Sequence, residues 1–292
     1  MKINYTGKSN IGYKRRVNED WVDSMTLGTM EIMAIADGAG SIINSYNRGK
    51  GKEPEPGQEW LNEKEERESL ETEIYNPTVQ PAIIAIKEIF SFLSDWYKKD
   101  KKLFEENLET ILEMSLAHAN TVLGSFRIAN EELYSGIMVS LSIVIIKDSG
   151  DFVFAHCGNT RIYLMRESYI ESETNNVRVS QLTTDHTLAQ TKVDKNELEQ
   201  EQYYLSKDRL TLTSCLGIFA NPEIQTFAGR LKNNDILFMS TKGIHFALRP
   251  EAILDISLSA HKFEIAIDKL IEAAKEQRYI DNMTCMFIKC SE

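Results

Sequence analysis

Cysteine is scarce in this sequence and is not arranged in pairs. The chain has four cysteines among 292 residues, and none of them forms a Cys-x-x-Cys pair. A disulfide-rich secreted domain or a zinc module needs closely paired cysteines, so we expect reduced thiols that are buried as small hydrophobic groups. The first ten residues, MKINYTGKSN, contain no apolar stretch of the kind that directs secretion. We therefore expect a cytoplasmic protein.

The sequence also lacks long hydrophobic runs and a surplus of positive charge. Its longest clean apolar run, near residues 138–146, is too short to cross a membrane as a helix. Lys and Arg number 33 against 44 Asp and Glu, which gives a net charge of −11. Because nucleic-acid backbones attract basic faces, this balance argues against a general nucleic-acid binder. We expect no nucleic-acid and no membrane partner, and the sequence leaves the oligomeric state open.

Hydrophobic periodicity predicts an α+β fold. Short apolar runs predict strands, and apolar positions at helical spacing predict helices. The predicted strands cover residues 30–36, 138–146, 152–157, 161–166, 236–240 and 283–289, and the predicted helices cover residues 80–99, 103–127, 248–258 and 261–277. The helices come in pairs between groups of strands, which favours α+β layering over a doubly wound parallel sheet.

No internal repeat and no linker composition divides the sequence, so we expect a single domain over residues 1–292. A charged segment with three prolines, at about 44–79, is predicted to be an exposed insertion. The sequence leaves open whether part of it, about 59–74, is helical or whether the whole segment is a solvated loop. A second polar excursion covers about 188–210.

Three acidic positions stand apart from ordinary surface acids. Glu19 lies in a charged cluster near the start of the chain, Asp37 ends an apolar strand, and Asp281 precedes the last predicted strand. Carboxylates that a fold brings together at strand ends are suitable ligands for Mg²⁺ or Mn²⁺. Gly38, beside Asp37, would let a backbone carbonyl approach such an ion closely.

Eight short segments carry a resemblance to a known family. They occur in the family's order and span nearly the whole chain. These segments are RRVNED at 15–20, ADGAG at 36–40, SG at 135–136, HCGNTR at 156–161, QLTTDHT at 181–187, CLG at 215–217, DILFMSTKG at 235–243 and DNMT at 281–284. The chain resembles the PPM (PP2C-type) metal-dependent serine/threonine protein phosphatases, and its DGAGS form is similar to a divergent bacterial branch.

The resemblance implies a fold, a reaction and a set of roles. The expected fold is an α-β-β-α sandwich of two antiparallel sheets flanked by helix pairs, with residues 188–210 matching the flap near the active site. Asp37 would bridge two metal ions, Glu19 and the Gly38 carbonyl would bind one of them, and Asp281 would bind the other. Arg15 would hold the phosphate of the substrate, which would be a phosphorylated protein or a partner kinase.

Lys242 is the largest departure from the family pattern. It stands where the family's S-D-G motif places a metal-binding aspartate, and an ammonium group repels a cation. Three carboxylates and one lysine leave a formal charge of −2, which balances one dication. We therefore expect one well-bound Mn²⁺ or Mg²⁺ ion at Glu19, Asp37 and Gly38, with Lys242 in place of the second. The alternative is that Lys242 turns out to solvent.

Three functions follow from this pattern. The first is a metal-dependent phosphoserine/phosphothreonine phosphatase with an impaired or unusual metal site. The second is a catalytically inactive pseudophosphatase that acts as a binding or regulatory module. The third is a scaffold that uses the insertion at 44–79 as its interaction surface. We favour the phosphatase, because Arg15, Glu19, Asp37, Gly38 and Asp281 are all retained.

Overall fold

Two five-stranded antiparallel sheets form the centre of the structure. The computed structural model describes residues 1–15, 17–39, 80–130, 136–168 and 176–291. The strands are β1 (Lys2–Asn10), β2 (Asp20–Leu27), β3 (Met30–Ala39), β4 (Met138–Lys147), β5 (Asp151–Cys157), β6 (Arg161–Ser168), β7 (Asn176–Gln181), β8 (Gln225–Arg230), β9 (Ile236–Ser240) and β10 (Met283–Ser291). The first sheet has the order β1-β10-β9-β6-β7 and the second has the order β2-β3-β4-β5-β8.

Eight α-helices accompany the two sheets in the described part of the chain. They are α1 (Pro81–Lys99), α2 (Lys101–Glu106), α3 (Leu108–Ala129), α4 (Leu188–Asp194), α5 (Gln200–Tyr203), α6 (Lys242–His245), α7 (Pro250–Leu258) and α8 (Phe263–Glu276). Helices α1 and α3 share a hydrophobic core with β3, β4 and β5. Helices α7 and α8 share another with β6, β9 and β10. The predicted α-β-β-α sandwich is confirmed.

Strand alternation explains why each sheet can be buried on both faces. Successive side chains of a strand point to opposite faces. In β3, Ile32 and Ala34 pack against the α1–α3 layer, whereas Met33 and Ile35 enter the core between the two sheets. A strand that contacts apolar groups on both faces needs an unbroken hydrophobic run. The runs at 30–36, 138–146 and 283–289 were recognisable for this reason.

Four strands were missed from the sequence, namely β1, β2, β7 and β8. All four lie at the edges of the two sheets. An edge strand contacts only one neighbour, so it tolerates the polar side chains that hide its pattern. The strand β1 reads KINYTGKSN and is largely exposed along its length.

One predicted helix proved to be two. The predicted helix over 103–127 is interrupted at Asn107, which caps the end of α2 and precedes α3. The Asn107 side-chain amide donates to the carbonyl of Leu103 at 2.9 Å, a local bond that competes with helix continuation.

The proposed insertion at 44–79 lies outside the described residues. None of the described helices is both long and apolar enough to cross a membrane.

The excursion at 188–210 contains the short helices α4 and α5, and its Tyr203 contacts a buried ion pair of the sandwich. Arg161 donates to both carboxylate oxygens of Asp185 at 2.8 Å. Tyr203, the last residue of α5, donates its hydroxyl to the same carboxylate. Planar bidentate pairing of this kind is geometrically specific, so the segment is held in a defined place although its sequence is polar.

A buried histidine lies beneath the turn between β5 and β6. His156 is fully buried, and its ring bonds to the Ser142 hydroxyl at 2.9 Å and the Gly158 carbonyl at 3.1 Å. Burial, together with neighbouring His186, lowers the pKa of His156 to about 3. The folded protein therefore keeps this ring neutral at pH values where the unfolded chain protonates it.

We predict that His156 makes the folded state less stable as the pH falls. Between about pH 6 and pH 3 the unfolded chain binds a proton that the folded chain does not, which costs about 1.4 kcal/mol per pH unit. His156→Gln should reduce the slope of the unfolding free energy against pH by about this amount, measured by urea denaturation at pH 4 to 6. Ile143→Val is the control, because it weakens the core without removing a titratable group. An equal slope in His156→Gln and native protein would contradict this prediction.

Candidate active site

The predicted site residues meet in one cavity at an end of the sandwich. The cavity has a volume of about 590 Å³. Its lining includes all six residues selected from the sequence, namely Arg15, Glu19, Asp37, Gly38, Lys242 and Asp281, together with Ala39, Met138, Ser140, Asn159, Leu210, Leu212, Gln277, Arg278, Tyr279 and Ile280. Its volume is that of a typical ligand pocket, which holds about 300–1,000 Å³.

Sheet topology brings these residues together from distant parts of the chain. Asp37 lies near the end of β3, and Lys242 opens α6 directly after β9. Asp281 stands two residues before β10, which pairs with both β9 and β1. The loop that carries Arg15 follows β1 and precedes β2. The ends of strands from both sheets therefore converge on the same cavity.

The Lys242 ammonium group lies between two carboxylates. Its Nζ is 2.5 Å and 2.6 Å from the two oxygens of Asp37, and 3.2 Å from Asp281 Oδ2. The Lys242 side chain is 19% exposed, and those of Asp37 and Asp281 are almost completely buried. Lys242 does not turn out to solvent. It enters the cavity and contacts the two acids that were expected to bind metal.

The electrostatics of the cavity keep Lys242 charged. Burial alone would lower the pKa of Lys242, but the carboxylates of Asp281, Asp37 and Asp20 outweigh this effect and raise it above its usual value. Burial also raises the pKa of Asp37, although the ammonium group acts in the opposite direction. A buried ammonium remains charged only where nearby carboxylates replace its lost hydration. Lys242 is thus a fixed cation within the site.

Arg15 contacts the other side of the Asp281 carboxylate. Its NH2 atom lies 2.9 Å from Asp281 Oδ1. Arg15 Nε is buried and has no hydrogen-bond partner among the described residues. The guanidinium group therefore keeps donor capacity beyond its bond to Asp281. Asp281 is bridged by two cationic side chains, Arg15 and Lys242.

Asn282 holds the loop that presents Arg15 and Glu19. Its side-chain amide donates to the carbonyls of Ile11 and Val17 at 2.9 Å and 3.0 Å, and its Oδ1 accepts from the Glu19 amide at 2.9 Å. This asparagine belongs to the DNMT segment, which predicted no role for it. Its function as a clamp depends on contacts across more than 260 residues of chain, which no local pattern reveals.

Asp20 follows Glu19 in the RRVNED segment, and the sequence predicted no role for it. It is buried, and its Oδ2 accepts hydrogen bonds from Thr241 Oγ1 at 2.7 Å and Thr284 Oγ1 at 2.9 Å. These bonds join β2 of one sheet to the β9 and β10 ends of the other. Burial and the nearby Asp37 carboxylate raise the pKa of Asp20 well above its usual value.

Gly38 is required by a close backbone approach. A Cβ atom at this position would lie 2.7 Å from the carbonyl oxygen of Glu19. The Gly38 amide donates to that same carbonyl at 3.2 Å. A glycine here therefore lets β3 pass directly against the Glu19 backbone.

The described residues fit the expected metals only in part. No group of three or more His, Cys, Asp or Glu side chains that could hold an ion occurs in the described part of the chain. The Lys242 ammonium lies between Asp37 and Asp281, the two carboxylates that were expected to hold the second ion. Glu19, Asp37 and the Gly38 carbonyl remain as hard oxygen donors on the cavity wall. These oxygens are the ones that could hold an expected ion, and Lys242 already contacts both oxygens of Asp37.

Comparisons with known proteins agree on the fold. No protein-family model matches the sequence. The serine/threonine phosphatase stp of Listeria welshimeri is 24% identical over 207 residues, which cover 70% of this chain and 78% of that protein. The Mycobacterium tuberculosis serine/threonine phosphatase PstP/Ppp has a TM-score of 0.73 at 18% identity, with 99% of each chain covered. A structure of the PstP catalytic domain with two manganese ions has a TM-score of 0.67 at 18% identity, with 99% of each chain covered.

The likeness to solved structures, at such low identities, establishes the fold. This chain has the two-sheet fold of the PPM-type phosphatases. Its sequence is also similar, at 24% identity, to the serine/threonine phosphatase stp of Listeria welshimeri.

We predict that removing the Lys242 charge strongly destabilises the protein. Lys242→Met leaves the Asp37 and Asp281 carboxylates without their shared cation, and breaking a buried pair from one side costs about 3–5 kcal/mol. The measurement is the free energy of unfolding in urea. Lys8→Met is the matched control, because its ion pair with Asp268 is about half exposed and solvent screens it, so its loss should change the stability little.

Adding Asp37→Asn to Lys242→Met tests the cause of this loss. The asparagine removes one of the two uncompensated charges, so the double variant should be more stable than Lys242→Met alone. A Lys242→Met variant as stable as Lys8→Met would contradict the prediction.

Proposed function

We propose that this protein removes phosphate from phosphoserine and phosphothreonine in proteins, using a site in which Lys242 replaces one metal ion. The observation that carries the proposal is the Lys242 ammonium between Asp37 and Asp281, with Arg15 on the other side of Asp281. The relatives named serine/threonine phosphatase support the reaction. We expect the substrate to be a cytoplasmic phosphoprotein or the kinase that phosphorylates it.

In this proposal Arg15 and Lys242 bind the phosphoryl group. A guanidinium presents paired donors that match phosphate oxygens, and Arg15 Nε has no other partner among the described residues. The Lys242 ammonium offsets negative charge that develops on the phosphoryl oxygens during transfer. Asp37 accepts a hydrogen bond from the attacking water and orients it in line with the leaving oxygen.

We propose that one Mg²⁺ or Mn²⁺ ion completes the site, held by Glu19, Asp37 and the carbonyl of Gly38. Such an ion, when bound, lowers the pKa of a coordinated water and neutralises phosphoryl charge. Asp281 does not bind an ion in this proposal, because the cationic side chains of Arg15 and Lys242 already offset its charge. A site with a single ion activates water less than a site with two, so we expect slow turnover.

The alternative is a pseudophosphatase, and one observation favours it. Lys242 contacts both oxygens of Asp37, so the carboxylate most needed for an ion is already paired. In this alternative Arg15 and Lys242 bind a phosphorylated segment without cleaving it, and the protein acts as a binding or regulatory module.

We predict that Lys242→Asp separates the two functions. The native protein should bind one Mn²⁺ ion and release phosphate slowly from p-nitrophenyl phosphate and a phosphothreonine peptide. Lys242→Asp replaces a positive charge with a negative one in the site, so it should bind a second ion and turn over faster. Calorimetric titration with Mn²⁺ and Mg²⁺ gives the stoichiometry, and phosphate release on the same samples gives the rate.

Lys262→Asp is the matched control for this experiment. It makes the same change of charge at the exposed N-terminal cap of α8, where an aspartate is well tolerated, and it should behave like the native protein. A native protein that binds phosphopeptide and releases no phosphate with any metal would establish the pseudophosphatase instead. Two bound ions and fast turnover in the native protein would contradict the role given to Lys242.

A further inference from the structure

A third cationic side chain lines the cavity, and the reaction proposed above does not use it. Arg278 is on the cavity wall with Arg15 and Lys242. It is exposed, whereas Lys242 and Arg15 lie deeper, with side chains 19% and 23% exposed. Lys242 and Arg15 are engaged by Asp37 and Asp281. Among the described residues no carboxylate forms an ion pair with Arg278.

The backbone of Arg278 adopts a conformation that normally requires glycine. Helix α8 ends at Glu276 with Gln277 as its C-cap, and Arg278 follows with φ of 56°. Its amide donates to the Lys275 carbonyl at 2.8 Å, which closes the helix end. Glycine is preferred at this position because a side chain costs energy in the left-handed region. Strained residues of this kind concentrate at functional sites, and here the strained residue borders the cavity.

Part of the wall of the cavity that Arg278 borders is apolar. Leu210, Leu212 and Ile280 line the same cavity and are apolar. A charge pair formed beside apolar walls is less screened than one in open water. The chain as a whole carries a charge of −11, so its general field repels acidic ligands. An unpaired cation at the cavity offsets this repulsion for an acidic segment.

We propose that Arg278 is a substrate-binding residue that selects phosphorylated segments with an acidic residue next to the phosphorylated one. This inference rests on the proposed function of the cavity as a phosphoprotein site. The phosphoryl group enters the deep part of the cavity beside Arg15 and Lys242. Consecutive residues are spaced by about 3.3–3.6 Å in an extended chain, so a neighbouring side chain remains at the rim. Its carboxylate pairs with the Arg278 guanidinium.

The test compares two phosphothreonine peptides that differ only in their flanking residues, Glu in one and Gln in the other. Dissociation constants are measured by fluorescence anisotropy in EDTA, and kcat/KM is measured with Mn²⁺. The native protein should prefer the Glu peptide by about two- to fivefold, the range expected of one partly exposed ion pair. The preference should shrink in high salt.

Three variants assign the preference to Arg278. Arg278→Gln and Arg278→Gly should bring the ratio between the two peptides to about one, and Arg278→Lys should keep most of the preference. Arg278→Gly also relieves the left-handed backbone, so its melting temperature should not fall below that of the native protein. Lys269→Gln removes one positive charge from an exposed position of helix α8 and should leave the preference intact.

The outcomes separate this inference from the proposed function. If phosphate is released equally from both peptides, or if Lys269→Gln loses as much preference as Arg278→Gln, the role of Arg278 is wrong and the phosphatase stands. If a binding preference is abolished by Arg278→Gln but no phosphate is released, the role of Arg278 stands and the phosphatase is wrong. If the native protein neither binds nor hydrolyses either peptide, both are overturned.

Discussion

The site depends on the compensation of buried carboxylates where the two sheets meet. Glu19, Asp20, Asp37 and Asp281 are all buried at this junction. A concentration of negative charge in a low dielectric is costly unless cations or hydrogen bonds offset it. In this protein the compensation comes from the chain itself. Lys242 and Arg15 pair with Asp37 and Asp281, while Thr241 and Thr284 donate to Asp20.

This internal compensation has consequences for chemistry. A lysine tethered in the site is always present, so the folded state does not require an ion to offset Asp37 and Asp281. The same lysine occupies the carboxylate that an ion would need, and it cannot lower the pKa of a bound water as a dication does. Stability without metal and catalytic power are therefore in competition at Lys242. In the proposed slow phosphatase an ion binds at Asp37 despite Lys242, whereas in the alternative pseudophosphatase Lys242 keeps the ion out.

The cations of the cavity differ in how they are paired, between its deep part and its rim. The deep part pairs Arg15 and Lys242 with acids, so a phosphate group must exchange places with carboxylates to bind there. The rim carries Arg278, which no described carboxylate neutralises, in a cavity whose wall is partly apolar. A ligand with two anionic groups at neighbouring residues would engage both parts. In the proposal above, Arg278 at the end of α8 therefore contributes to the selection of the substrate.

Much of the architecture was predictable because it depends on local patterns. The apolar runs of β3, β4 and β10 are buried on both faces, so they were recognisable, whereas the polar edge strands β1, β7 and β8 were not. Arg15, Glu19, Asp37, Gly38 and Asp281 could be selected because motif order preserves residue types at strand ends. The break at Asn107 was missed, because a single side-chain bond to Leu103 decided it.

The sequence by itself determined the layer order of the fold, the residue types of the site and the substitution of lysine for an acid at position 242. Only the tertiary structure decided where that ammonium group lies, that Asn282 clamps the loop of Arg15, that Asp20 joins the sheets and that Arg278 faces the cavity. The physical reason is the separation along the chain over which each effect acts. Periodicity and turn chemistry act over a few residues, whereas charge compensation and close approach depend on groups that folding brings together from over 200 positions apart.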